Sequence, residues 1–304
     1  MLALVNTPGG PEPLSLRTVA EPVSASEEAL VRVEAVSVNR GELALMAARA
    51  EGWRPGQDIA GVVERAAADG SGPPVGTRVA GLVEGAGWSE LVAAPTDRLA
   101  AVPESLDIAA AAGLPLVGIT ALRTLRYGGD LLGRRVLVTG ASGAVGRLQV
   151  ELANRHGARV TAIAAERYAA DLRAAGAEVV APTIEAATAP FDFVTESVGG
   201  SSLASAVGAT APGATIVVFG ASTGEKTPIS LYDFIGHENL TIRVFLSYAS
   251  PQPFGPDLQL LADLAGRELL HPHVAMTVPW TEFDKGLQAL RERRTGGKLI
   301  LTVA

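Results

Sequence analysis

The sequence predicts an α/β protein in which an all-β segment precedes a doubly wound parallel sheet. Three observations lead to this prediction: apolar alternation in the first hundred residues, a strand–helix rhythm after residue 105, and a glycine turn inside that rhythm. Buried strands that alternate with helices of about a dozen residues are typical of a parallel sheet covered by helices. The chain has 304 residues, which is enough for two domains of ordinary size.

The first part of the chain is predicted to form short strands. The segment EALVRVEAVSV (28–38) alternates as a half-buried strand does, and DIAGVVERAAA (58–68) and VGTRVAGLVEG (75–85) are short runs punctuated by glycine. The segment RGELALMAARA (40–50) is predicted to be a short helix. Together these elements predict a barrel-like domain over residues 1–105.

Strands and helices alternate from residue 106 to residue 248. The stretch 107–128 is predicted to be helical, and RRVLVTG, RVTAIAA, FDFVTESV and ATIVVFG are apolar strands separated by helical segments. This order predicts a parallel sheet wrapped by helices. After NLTIRVFLSY (239–248), residues 249–304 are predicted to form a helix and then a strand, a helix and a strand.

The glycine turn is the motif with the most specific chemistry. Gly140, Gly143 and Gly146 follow the strand RRVLVTG at the spacing G-x-x-G-x-x-G and lead into an amphipathic helix. Glycines at this place let the backbone approach a pyrophosphate, which the free amides of the helix N-terminus then bind. A glycine triplet alone would indicate only a tight turn. Inside a strand–helix–strand unit, it predicts dinucleotide binding.

The end of the second strand of this unit bears on the choice of coenzyme. NAD-specific sites usually carry an acidic residue there, whereas this chain has Ala164, followed closely by Glu166 and Arg167. The missing carboxylate removes repulsion toward a 2′-phosphate, and Arg167 would add a charge-assisted contact. The sequence therefore predicts NADPH. In the alternative interpretation, Arg167 is an exposed residue at a helix start and Glu166 serves NADH.

Composition excludes several classes of function. The net charge is −7 without a block of like charges, so nucleic acid is not an expected partner. The absence of cysteine excludes disulfides, thiolate–zinc sites and cysteine nucleophiles. The start MLALVNTPGG lacks the features of a signal peptide, and the apolar run 108–122 is too short for a bilayer span. A cytoplasmic protein without a membrane partner is expected.

Segments spread over the whole chain follow the order and nearly the spacing of one known family. They include ALVRVEAVSVNRGEL, PGQDIAGVV, RVLVTGASGAVG, VTESVGG, GATIVVFGAS and GGKLILTV. Through them the chain resembles the zinc-independent medium-chain dehydrogenases/reductases, in their NADPH:quinone oxidoreductase branch. The resemblance implies a GroES-like β-barrel domain formed by residues 1–105 and 249–304, with the Rossmann domain (106–248) inserted. It also implies an active-site cleft between the two, and a homodimer formed by sheet extension near residues 240–248.

The chain departs from the zinc alcohol dehydrogenases of that family. Those enzymes use Cys and a Gly-His-Glu segment for catalytic zinc, whereas this chain has PGQDIAG, with Gln57 in place of the His, and no Cys. The segments GHEN (236–239) and HPH (271–273) are interpreted as a loop and as structural or exposed histidines, so no metal site is predicted. Without the Lewis acid, the resemblance implies hydride transfer from NADPH to a quinone or an α,β-unsaturated carbonyl compound.

The resemblance also implies the residues of the site. Asn39 is expected near the nicotinamide ribose and the acceptor, or else it only stabilises a turn. Thr120 is expected to bond near the nicotinamide ribose or carboxamide, or else it is an ordinary helix residue. A Tyr that often follows the Asn is missing here, and Trp53, the nearest aromatic residue, either lines an acceptor pocket or packs under a loop. No Tyr, His or Cys is placed as a proton donor, so solvent is the expected proton source.

Contacts to the coenzyme are expected from a larger set of residues. These are Gly140, Ser142, Gly143, Ala144, Val145, Gly146, Ala164, Arg167, Gly220, Ala221, Phe245, Leu246 and Lys298. In the alternative interpretation, Lys298 is a solvated lysine ahead of the last strand. Besides quinone or enone reduction, two functions remain open: a pathway-specific enoyl or alkenal reductase, and a non-catalytic NADPH-binding regulatory or structural protein.

Overall fold

The computed structural model describes residues 1–9, 12–188, 190–250, 252–292 and 295–303. The chain divides into two compact units, Met1–Ile119 with Pro251–Ala304, and Thr120–Ser250. The domain boundaries predicted near residues 105 and 248 stay a prediction. None of the helices in the described ranges has both the length and the apolar composition of a bilayer-spanning segment.

The elements follow one another in the order that the sequence predicts. The strands are β1 (Leu2–Asn6), β2 (Leu14–Thr18), β3 (Glu28–Val38), β4 (Asp58–Arg65), β5 (Arg78–Leu82), β6 (Leu91–Pro95), β7 (Leu99–Ala101), β8 (Arg135–Val138), β9 (Arg159–Ile163), β10 (Val179–Ala181), β11 (Phe191–Glu196), β12 (Thr210–Val218), β13 (Thr241–Val244), β14 (Val274–Pro279) and β15 (Lys298–Thr302). The α-helices are α1 (Arg40–Ala48), α2 (Ile108–Ala112), α3 (Pro115–Arg126), α4 (Ala144–Arg155), α5 (Ala169–Ala174), α6 (Gly200–Gly208), α7 (Gly255–Gly266) and α8 (Phe283–Arg291).

The unit that contains both chain ends is built on a seven-stranded sheet. Its strand order is β14-β15-β3-β4-β5-β7, and β6 also pairs with β3. The long strand β3 is central because it pairs antiparallel with β4, β6 and β15. Its apolar side chains are buried with those of Leu4, Ile59, Trp88 and Leu299 in one core. This sheet is the all-β part of the predicted fold class.

The second unit is built on a six-stranded sheet. The strand order is β10-β9-β8-β11-β12-β13, and every neighbouring pair is parallel. The chain moves outward from β8 through β10 and then returns to the other side of β8 with β11. Ligands of such sheets bind outside the carboxyl ends of the strands where the order reverses. The doubly wound sheet therefore directs attention to the ends of β8 and β11.

Candidate functional site

The glycine turn connects β8 to α4 by close contacts between backbone atoms. Gly140 has a φ of +57°, a conformation that favours glycine, and its carbonyl accepts the N–H of Gly143 at 2.9 Å. A Cβ at Gly146 would lie 2.6 Å from the carbonyl oxygen of Gly140 and 2.7 Å from the Cα of Ala141. The first and third glycines are therefore required by the shape of the turn.

The N-terminus of α4 offers donors for an anion. The N–H groups of Ala144, Val145 and Gly146 belong to the first helical turn and have no acceptor within the helix. Gly143 is the N-cap residue and has no side chain that would occupy them, and Ser142 beside it is partly exposed. The helix dipole adds a partial positive charge at this point. These residues fit the pyrophosphate of a dinucleotide.

A buried carboxylate that the sequence analysis did not single out ties this turn to the next strand. Glu196, the last residue of β11, is fully buried. It accepts hydrogen bonds from the hydroxyl of Thr139 at 3.2 Å and from the N–H of Gly199 at 3.0 Å. The Thr139 hydroxyl in turn accepts the N–H of Ser197 at 3.0 Å. Glu196 therefore holds the ends of β8 and β11 together at the point where the strand order reverses.

Other predicted coenzyme residues follow the neighbouring strands. Gly220 and Ala221 come after β12, and a Cβ at Gly220 would lie 2.9 Å from the carbonyl oxygen of Ser197. Phe245 comes directly after β13, is buried, and donates its N–H to the Val218 carbonyl at 2.9 Å. Because all these strands are parallel, the structure brings these residues and the glycine turn to one edge of the sheet. Their contacts with a coenzyme stay a prediction.

The end of β9 carries the residues predicted to select the coenzyme. Ala164 is buried, and its N–H bonds to the Ala181 carbonyl at 3.0 Å. Arg167 is exposed on a single-turn 3-10 helix, where its guanidinium lies 4.7 Å from the centre of the Tyr168 ring. The same ring has the guanidinium of Arg147 at 5.9 Å. Two positive groups thus lie beside one aromatic ring at the carboxyl edge of the sheet.

The unit that contains both chain ends holds a buried polar cluster around Asn39. Lys298 donates to the Asn39 side-chain carbonyl oxygen at 2.8 Å and to the carboxylate of Asp58 at 3.1 Å. The Asn39 amide nitrogen donates to the same Asp58 oxygen at 2.9 Å. The Ser37 hydroxyl also donates to it. All four side chains are buried.

Asp58 is the hub of this cluster because it also caps a helix. Its second carboxylate oxygen accepts the N–H of Leu116, in the first turn of α3, at 2.8 Å. An anion at a helix N-terminus satisfies an otherwise unpaired amide and interacts favourably with the helix dipole. The carboxylate therefore has four donors: one ammonium, one amide, one hydroxyl and one backbone N–H.

Glu42 is a second buried acid beside the cluster. Its carboxyl oxygens accept the backbone N–H of Asn39 at 2.7 Å and that of Gln57 at 2.9 Å. Burial raises the pKa of Glu42 to about 8. The charge of Asp58 also raises this pKa, whereas the backbone hydrogen bonds and the charge of Lys298 lower it without cancelling the effect of burial. Glu42 is therefore mainly protonated at neutral pH, which limits the negative charge buried next to Asp58.

Replacing Glu42 by Gln is expected to change how the free energy of unfolding depends on pH. The folded-state pKa of about 8 lies above the reference value of 4.5. Protonated Glu42 therefore contributes fully to the free energy of unfolding of the wild-type protein below pH 4.5. This contribution is lost as the pH rises toward 8. Relative to wild type, E42Q should gain roughly 3–5 kcal/mol of stability between pH 5 and pH 9.

Urea unfolding at pH 5, 7 and 9 measures this difference. Glu104→Gln is the control, because Glu104 is exposed in the same unit. A difference between E42Q and wild type that stays constant across the three pH values would contradict the assignment.

The structure brings the side chains of Asn39 and Lys298 together. The interpretation of Lys298 as a solvated lysine is wrong, because Lys298 is 3% exposed and starts β15. Trp53 is partly buried and packs against the core of its unit, which favours the packing interpretation. Thr120 is buried in α3, and its carbonyl accepts the Thr124 hydroxyl at 2.6 Å. The roles of these residues toward coenzyme and acceptor stay predictions.

The two histidine-containing segments differ, because His271 and His273 of HPH are exposed, whereas His237 of GHEN is partly buried. The ring nitrogen Nδ1 of His237, in GHEN, lies 2.8 Å from the Thr210 carbonyl oxygen. Among the side chains that the structure describes, no three His, Asp or Glu groups are arranged to hold a metal ion.

Comparison with known proteins identifies the family. The model described as alcohol dehydrogenase GroES-like domain matches residues 25–104, and the one described as zinc-binding dehydrogenase matches residues 144–263. The quinone oxidoreductase of Mus musculus is 35% identical over 161 residues, which are 50% of this chain and 48% of that protein. The chain thus spans about half the length of the curated relatives it matches.

Two solved structures share the whole fold. The quinone oxidoreductase from Coxiella burnetii has a TM-score of 0.87 at 24% identity, covering 100% of this chain and 99% of that one. The mycobacterial protein Rv1454c, solved in complex with NADPH, has a TM-score of 0.88 at 24% identity, covering 99% of this chain and 100% of that one. At this identity the two structures show the fold. Since family models match parts of both units, the chain belongs to the medium-chain dehydrogenases/reductases and is similar to their quinone oxidoreductases.

Proposed function

We propose that this protein is an NADPH-dependent oxidoreductase that transfers a hydride to a quinone or an α,β-unsaturated carbonyl compound without zinc. The observation that carries the proposal is the turn in which Gly146 packs against the backbone of Gly140, at the carboxyl edge of a parallel sheet. A turn of this shape presents the amides of α4 to a pyrophosphate. The mouse relative, named quinone oxidoreductase, supports the acceptor class.

Each group of residues has a role in this proposal. Ser142 and the amides of residues 144–146 hold the pyrophosphate, and Ala164 and Arg167 accommodate the 2′-phosphate. Gly220, Ala221, Phe245 and Leu246 line the path of the nicotinamide end, toward which Thr120 donates. When bound, the reduced nicotinamide supplies the hydride.

The acceptor class follows from the side chains available to polarise it. Gln57 stands where zinc alcohol dehydrogenases have a His, and the chain has no Cys. A quinone or an enone needs no Lewis acid, because the charge that it receives is delocalised onto a conjugated oxygen that a few hydrogen bonds stabilise. Asn39 is the proposed donor to this oxygen.

A panel of acceptors tests the proposal. NADPH and NADH oxidation is followed by absorbance with quinones, enones, aldehydes and simple alcohols, with and without a metal chelator. Chelator-insensitive oxidation of NADPH by quinones or enones is expected, and activity confined to one enoyl class would identify an enoyl or alkenal reductase. NADPH binding without turnover would indicate a non-catalytic protein, and chelator-sensitive alcohol oxidation would contradict the zinc-free reaction.

Replacing Arg167 by Ala is expected to lower the preference for NADPH over NADH about tenfold, because a charge-assisted contact to the 2′-phosphate is lost. The ratio of kcat/KM for the two coenzymes measures this preference. Arg173→Ala is the control, since it removes an equally exposed positive charge from α5. An unchanged ratio in R167A would favour the interpretation in which Glu166 serves NADH.

We further propose that two copies of the chain pair along β13. Within the part of the chain that the structure describes, β13 is hydrogen-bonded on one side only, to β12, and its residues are exposed. Many large exposed apolar side chains of the chain belong to residues 229–248, the segment that contains β13. We call this set the edge surface: Ile229, Leu231, Tyr232, Ile235, Ile242, Val244, Leu246 and Tyr248. An exposed edge strand with apolar neighbours favours pairing with another strand. A cytoplasmic location stays a prediction from the sequence.

A further inference from the structure

We propose that Lys298 and Asp58 are positioning residues that set the orientation of the Asn39 side-chain amide. The inference rests on the proposed function, in which Asn39 donates to the oxygen of the acceptor. It assigns to Lys298 a role different from the coenzyme contact that the resemblance implies. It also gives Asp58 a role that no sequence motif indicates.

The hydrogen bonds allow only one orientation of the amide. The ammonium of Lys298 has donors and no acceptor, so its contact of 2.8 Å requires the carbonyl oxygen of Asn39 on that side. The carboxylate of Asp58 lies 2.9 Å from the amide nitrogen on the other side, where an acceptor meets a donor. A flipped amide would place its NH2 group against the ammonium and its oxygen against the carboxylate. One N–H of the amide is left for a further acceptor.

The surrounding backbone holds these groups in place. Asn39 directly follows β3, Asp58 is the first residue of β4, and Lys298 is the first residue of β15. Both β4 and β15 pair with β3 in the same sheet. The Ser37 hydroxyl and the Leu116 N–H satisfy the remaining acceptor positions of Asp58. Groups locked by burial and by a supporting layer of hydrogen bonds keep a precise geometry.

The ammonium also changes the strength of the remaining donor. The ammonium of Lys298 donates to the amide oxygen of Asn39 and its positive charge polarises the amide. Hydrogen bonds that form a chain in a buried environment polarise and strengthen one another. The remaining N–H of Asn39 is therefore a better donor to an oxygen that gains negative charge in the transition state. The effect of Lys298 should appear in kcat, because ground-state binding of the coenzyme does not depend on it.

Kinetics of three variants test the inference. Lys298→Met removes the ammonium, Lys298→Arg keeps a positive donor, and Lys285→Met is the control, because Lys285 is an exposed lysine of the same unit paired with Glu282 at 2.7 Å. K298M should lower kcat about 10- to 100-fold and should leave the Kd of NADPH within about threefold of the wild-type value. K298R should restore most of the lost kcat. A raised Kd with unchanged kcat would overturn the inference and assign Lys298 to the coenzyme.

A second readout does not require turnover. In 15N-labelled protein, the side-chain NH2 signal of Asn39 is assigned by its loss in Asn39→Ser. This signal should shift in K298M and return toward its position in K298R. An unchanged signal in K298M would overturn the inference. If no acceptor is reduced by the wild-type protein, the proposed function fails while this measurement still decides the orientation.

If circular dichroism shows that K298M does not fold, the double variant Asp58→Asn with Lys298→Met replaces it in both measurements. It removes both buried charges together and leaves a side chain at residue 58 that still accepts the Leu116 N–H. It should show the same shift of the Asn39 signal and the same loss of kcat. Wild-type kcat in a folded double variant would overturn the inference.

Discussion

Replacing Gly146 by alanine is expected to weaken coenzyme binding about 10- to 100-fold. The added Cβ would lie 2.6 Å from the carbonyl oxygen of Gly140 and 2.7 Å from the Cα of Ala141. Both are backbone atoms, so the turn or the start of α4 must move. Overpacking of this kind costs roughly 1–3 kcal/mol, and the moved amides no longer converge on the pyrophosphate.

Gly208→Ala is the matched control for this substitution. Gly208 ends α6 in the same unit, is exposed, and has nothing within 4 Å of a built Cβ. It should bind NADPH as the wild type does and should be slightly more stable, because alanine is a better helix former than glycine. Titration of NADPH fluorescence and thermal unfolding measure both effects. Equal affinity in G146A and G208A would show that the close packing of the turn is not needed for binding.

The parts of the fold that sequence analysis predicted are those with strong local signals. The strand predicted at 28–38 has the same bounds as β3, because its alternation reflects a pairing with three neighbours that buries one face completely. The rhythm of apolar strands and amphipathic helices predicted the strands β8, β9, β11 and β12 of the second unit. The glycine turn was predictable for the same reason, since its spacing and its place after β8 are local features of the chain.

The buried cluster was not predictable in this way. Lys298 and Asp58 are 240 residues apart in the chain, and their contact arises only because β15 and β4 both pair with β3. Lysine is usually exposed, so the sequence favoured a solvated lysine or a coenzyme ligand.

Glu196 was missed for a similar reason, although a carboxylate at the end of an apolar strand was a signal that the sequence contained. Such a residue needs several donors if it is buried, and those donors come from the folded chain.

Replacing Val244 by Lys is expected to convert the proposed dimer into a monomer. Val244 is the last residue of β13, is 67% exposed, and belongs to the edge surface together with Ile242 and Tyr248. Pairing of two β13 strands related by a two-fold axis would bury these side chains and satisfy the free backbone groups of both edges. A lysine in each copy would bring two like charges to this interface, and charged residues on edge strands are a common device against pairing.

Val23→Lys separates this effect from a general effect of charge. Val23 is 93% exposed in the other unit and lies outside the edge surface, so V23K should keep the mass of the wild-type protein. Sedimentation equilibrium over a range of concentrations measures the mass. A wild-type protein with the mass of one chain, or a V244K variant with the mass of two, would contradict the proposed pairing.

Loss of the pairing should also loosen this end of the sheet, because β13 leads directly into Phe245, whose N–H donates to the Val218 carbonyl. We therefore expect V244K to bind NADPH more weakly than V23K does.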